Sequence, residues 1–91
     1  MIHVDVRIDS DDATLPNANL FPKILVQTSI DGGPWATQYV FYASAVEVNK
    51  HGVDEARELQ RLRAEDAARV FVNGCRFAGA EVRATSFGYA L

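Results

Sequence analysis

The residues that could do chemistry in this chain are few: Cys75, His3, His51 and the acids of "DSDD" at 9–12. A nucleophilic dyad would need Cys75 beside His51 and an orienting acid, but "NGCRF" carries no nucleophile signature and reads as a turn. The two histidines, His3 and His51, fall short of the three protein ligands a zinc centre requires, and a site would have to recruit scattered carboxylates that no spacing brings together. A calcium loop starting at Asp9 would need glycine at its sixth position and glutamate at its twelfth, where Thr14 and Leu20 stand. The glycines at 32, 33, 52, 74, 79 and 88 match neither dinucleotide-binding nor P-loop spacing. These absences imply no catalytic group, no metal and no cofactor. Asp9, Asp11 and Asp12 then read as an acidic patch suited to a basic partner surface.

Charge and cysteine usage narrow the classes further. A formal charge of -3 argues against nucleic acid as a partner, because phosphate binding draws on clustered Lys and Arg. Tyr39, Phe41 and Tyr42 would suit a base-stacking platform, yet the basic and glycine residues of an RNA-recognition sheet are missing. A single cysteine excludes an internal disulfide and fits a reducing compartment. No leader-like segment and no apolar run of membrane-spanning length is present, so a cytoplasmic protein is expected. The acidic excess lies in residues 1–50, where six acids meet three basic residues; the remainder is balanced.

The elements that must position these groups follow from periodicity. Ile2, Val4, Val6 and Ile8 alternate with polar residues, which predicts a strand with one buried face. The Asp-, Asn- and Pro-rich segment 9–22 reads as a long loop. Lys23 to Ile30, the turn "DGGP" and the β-prone run Trp35 to Val46 form a hairpin. Alternation places Trp35, Thr37, Tyr39, Phe41 and Ala43 on one face of its second arm and Gln38, Val40, Tyr42, Ser44 and Val46 on the other. A strand apolar on both faces is central in its sheet or presents aromatic surface to a partner.

"NKHG" at 49–52 breaks the chain, and a helix is expected over 54–72 with Asn73 and Gly74 as its stop. A break near Arg63, giving two shorter helices, is the alternative. Val53, Ala56, Leu59, Ala67, Val70 and Phe71 share one arc of that helix, opposite a ladder of Asp54, Arg57, Glu58, Arg61, Glu65 and Arg69. Residues 80–87 alternate as a last strand, and the tail "SFGYAL" ends apolar. Taken together, residues 1–91 are expected to form a single α+β domain: a small antiparallel sheet, order β-β-β-α-β, with one amphipathic helix on one face.

"SIDGGPWAT" at 29–37 resembles the Asp-box of sialidase-type β-propellers, a Ser-x-Asp-x-Gly-x-Thr-Trp hairpin turn, through Ser29, Asp31, Gly33 and Trp35. Pro34 stands where that pattern has threonine. The resemblance covers about eight residues, and a single copy cannot build a propeller. It implies a hairpin turn capped by Asp31.

The expected function is therefore a non-enzymatic protein-interaction module acting by occupying a macromolecular surface. Accessory proteins of phages and mobile elements, including anti-CRISPR inhibitors, are similar in size and charge. Asp9, Asp11, Asp12, Tyr39 and Tyr42 are the candidate partner-binding residues. The alternative is a structural or self-assembling homodimer that buries strand 35–46 and the tail; a small ligand-binding domain or enzyme ranks last.

Overall fold

The computed structural model describes residues 1–11, 22–43 and 45–91. Its elements are β1 (His3–Asp11), β2 (Lys23–Ile30), β3 (Ala36–Phe41), α1 (Ala45–His51), α2 (Val53–Phe77), β4 (Glu81–Ser86) and β5 (Tyr89–Ala90). The strands make one sheet in the order β3-β2-β1-β4-β5. The α+β class is as expected, but the sheet is mixed and not wholly antiparallel. β1 pairs antiparallel with β2 and parallel with β4. The cause is α2, which spans 25 residues, or roughly 38 Å at helical rise, and carries the chain back along the sheet. β4 must then start from the same end as β1.

One sheet face builds the core. Val4, Val6 and Ile8 of β1, Ile24 and Val26 of β2 and Ala84 of β4 pack against Ala64, Ala68 and Val72 of α2. The buried stripe of the helix runs at four-residue spacing through Ala56, Gln60, Ala64, Ala68 and Val72, with Glu65 beside it. Three alanines at the contact let the helix backbone approach the sheet closely. The arc expected from the wheel is thus displaced: Ala56 is buried and Phe71 packs on the core, whereas Val53 and Val70 face solvent. Glu65, expected on the solvated ladder, is buried.

Among the described residues two helices occur, α2 running unbroken past Arg63 and the division from α1 falling at Gly52. Gly52 has φ 84 and precedes α2, a left-handed conformation that glycine adopts without strain. α1 occupies the end of the run read as strand; Glu47 pairs with Arg63, which docks α1 on α2. Asn73 and Gly74 do not stop α2. The chain turns left-handed only at Gly79 (φ 94), where the amides of Ala78, Gly79 and Ala80 close on the carbonyls of Gly74, Arg76 and Cys75. Cys75 consequently lies half-buried in the last helical turns, not in a loop.

β3 is an edge strand, not a central one, and ends at Phe41. Its register against β2 shifts between Val26 and Gln27, so that Val26 faces Tyr39 while Gln27 faces Thr37. This bulge changes the faces. Tyr39 and Phe41 stay on the helix side, while Thr37 moves to the opposite side.

Candidate functional site

The second face of the sheet is covered by no element among the described residues. Alternation fixes what it presents: His3, Asp5, Arg7, Asp9 and Asp11 from β1, and Lys23, Leu25 and Gln27 from β2. Thr37 and Val40 continue it on β3, and Glu81, Arg83 and Thr85 on β4. Its centre is a connected row. The Arg7 guanidinium lies 4.0 Å from the Trp35 ring centroid, and Arg7 Nε donates to Gln27 Oε1 at 3.0 Å. Gln27 Nε2 in turn donates to Thr37 Oγ1 at 3.2 Å. A second row joins Arg83 Nε to Asp5 Oδ1 at 3.1 Å, and a third joins His3 Nδ1 to Glu81 Oε2 at 3.1 Å.

The turn that carries Trp35 is locally determined. Asp31 (φ 50) and Gly32 (φ 74) occupy its two left-handed positions, closed by the Gly33 amide on the Ile30 carbonyl at 2.9 Å. Asp31 also accepts the His3 amide at 2.9 Å through Oδ1, and its own amide donates to the His3 carbonyl at 2.8 Å. Ser29 Oγ donates to the Gly33 carbonyl at 2.6 Å. The Ser-x-Asp-x-Gly string therefore builds a capped hairpin turn, which places the tryptophan over β1.

The expected site residues divide between the two faces. Asp9 is exposed opposite Leu25, and Asp11 lies opposite Lys23, both on the open face. Tyr42 joins them, 68 % exposed, with Lys23 Nζ 5.9 Å from its ring centroid. Tyr39 does not: its ring lies 6.4 Å from Phe41 and edge-on to Phe71 at 6.5 Å, on the helix side. Asp12 falls outside the described residues. Sequence reasoning missed Arg7, Leu25 and Val40 as members of the same surface. The alternation of β1 already put Arg7 on the solvent side; its partners required the strand order.

A second concavity, about 480 Å³, opens between α2 and the C-terminal hairpin, lined by Arg61, Glu65, Arg69, Ser86, Phe87 and Tyr89 among others. Its buried acid is fully engaged: Glu65 Oε2 accepts from Ser86 Oγ at 2.7 Å and Arg61 Nη1 at 2.8 Å. Arg61 also binds Glu58, and the two acids, Glu58 foremost, hold its guanidinium above its ordinary range. Both arginines of this cleft are thus committed to the protein's own carboxylates. Phe87 stands at its rim with φ 50, a conformation bulky residues rarely adopt.

Among the described residues no three His, Cys, Asp or Glu side chains converge as a metal site. Nor is any helix among them long and apolar enough to cross a membrane. Compared with known proteins, the chain matches no family model, no curated protein and no solved structure.

Proposed function

We propose that this chain is a non-enzymatic protein-interaction module, and that the uncovered sheet face is the surface with which it occupies another macromolecule. The observation that supports this reading is the Trp35–Arg7 stack, held by the Gln27–Thr37 row at the centre of that face. Trp, Tyr and Arg are the residue types that carry most interface energy. Side chains ordered before contact lose less entropy on binding. Leu25 and Val40 extend the apolar centre beside the stack. Asp9 and Asp11 add carboxylates at one end of the face, which suits a basic partner. Small phage and mobile-element inhibitors, anti-CRISPR proteins among them, act by such occupation. The size and acidity of this chain fit that class, working in the cytoplasm.

The test is bait capture from bacterial lysate with quantitative mass spectrometry. Three baits are compared: wild type, an Arg7→Ala/Trp35→Ala variant, and Val70→Ser, which changes the solvent side of α2 where Val70 is 73 % exposed. A partner retained by wild type and Val70→Ser but lost by the double variant is the expected result. Equal capture by all three baits would refute the assignment of this face.

A further inference from the structure

β3 ends the sheet, and among the described residues no strand pairs with its outer edge. Such an edge presents a row of backbone N–H and C=O groups that is a template for pairing with another extended chain. Sheet edges are ordinarily protected by charged side chains, by proline within the strand, by brevity or by a bulge, and of these β3 carries the bulge alone. β3 has six residues, none of them charged or proline, and the chain is uncharged from Gly32 to Val46. The opposite edge, β5, has two residues.

The bulge also gives β3 an unusual symmetry. Ala36 pairs with the buried Thr28, and Gln38 Nε2 donates to Thr28 Oγ1 at 3.0 Å, so both belong to the helix side with Tyr39 and Phe41. Thr37 and Val40 belong to the open side. From Ala36 to Phe41 the faces therefore run helix, open, helix, helix, open, helix. That order is the same read from either end. Without the bulge, strict alternation over the same residues would invert on reversal.

We propose that a second copy of this chain pairs with β3, antiparallel about a twofold axis between Gln38 and Tyr39. Ala36 of each copy then faces Phe41 of the other, Thr37 faces Val40, and Gln38 faces Tyr39, every pair on matching faces. The absence of charge removes like-charge opposition, which a twofold axis would otherwise impose on an edge. The pairing covers Tyr39 and Val40, 43 % and 40 % exposed in the single chain. It also joins the two open faces into one surface bearing the Trp35–Arg7 stack twice, which favours a partner with repeated sites. The proposal does not rest on the protein-contact reading; mass alone decides it.

The experiment is light scattering and sedimentation of the full chain at micromolar and higher concentrations, with two double variants. Thr37→Lys/Val40→Lys sets lysine opposite lysine twice across the axis, and a dimer at least roughly tenfold weaker is expected. Thr37→Lys/Val40→Glu sets lysine opposite glutamate twice, and the dimer persists. Both variants lose the same Gln27–Thr37 hydrogen bond, and far-UV circular dichroism with melting confirms that each folds. A monomeric wild type, an unweakened Lys/Lys variant, or equal loss in both variants would overturn the proposal.

Discussion

Replacing Glu65 by alanine removes the polar clasp between α2 and the end of β4. The carboxylate sits on a residue 7 % exposed and accepts Ser86 Oγ at 2.7 Å and Arg61 Nη1 at 2.8 Å, with Arg69 Nη2 at 3.7 Å. Its loss leaves the Ser86 hydroxyl, itself 7 % exposed, without that acceptor. Neither arginine is stranded, because Arg61 keeps Glu58 and Arg69 keeps Asp66. The cost therefore falls at the lower end of the 3–5 kcal/mol typical of a broken buried pair, about 3 kcal/mol. For a domain of this size each kcal/mol lowers the melting point by roughly 4–8 °C, so a drop of about 12–24 °C is expected. Glu65→Gln keeps an acceptor for Ser86 and loses the ionic part, about 1–1.5 kcal/mol. Urea unfolding followed by far-UV circular dichroism measures both, with the m-value unchanged. A Glu65→Ala protein within about 0.5 kcal/mol of wild type, no worse than the exposed control Glu58→Ala, would refute the clasp.

Further outcomes follow from other residues. Gln60 is 2 % exposed and donates to the carbonyls of Pro22 at 3.0 Å and Phe41 at 2.9 Å, so Gln60→Ala should cost about 2 kcal/mol in the same assay. Ala64 is fully buried between helix and sheet; Ala64→Leu forces the layers apart and should destabilise by about 1–3 kcal/mol. Phe87→Asn eases a positive φ in the β4–β5 turn worth about 1 kcal/mol at a ring 38 % exposed, and a higher melting point is expected in thermal unfolding. Glu58 is held below its ordinary value near 4.5, chiefly by the Arg61 hydrogen bond. A depressed acid contributes stability above its unfolded pKa that disappears as pH falls through the folded value. Thermal melts from about pH 5 downward should therefore show a slightly shallower acid limb in Glu58→Gln.

The strand at the N-terminus, the hairpin turn at Asp31 and Gly32 and the long amphipathic helix were legible because each rests on local chemistry: period-2 alternation, left-handed turn residues, helical spacing. The candidate surface was legible only in part. Asp9, Asp11 and Tyr42 share it, but Tyr39 was placed with Thr37 by an alternation that the bulge interrupts. Bulges depend on how two strands settle against each other, so one strand's sequence cannot locate them. Glu65 read as solvated because its type is polar, and Gln60 entered neither the apolar arc nor the ladder; their burial became tolerable only once Ser86, Arg61 and two backbone carbonyls converged on them.

By itself the sequence determined β1, the β2–β3 hairpin, α2 and β4 in their order along the chain, though neither α1 nor β5, and it showed no nucleophile, metal or phosphate signature, since these depend on residue type and short-range spacing. Tertiary structure decided that β4 runs parallel to β1, that β3 lies at the edge, and which side of α2 meets the sheet. The physical reason is that strand order and helix rotation are set by long-range packing. The alanines at 56, 64 and 68 permit a closer approach than the larger arc through Val53 and Val70, and the chain buries the face that fits.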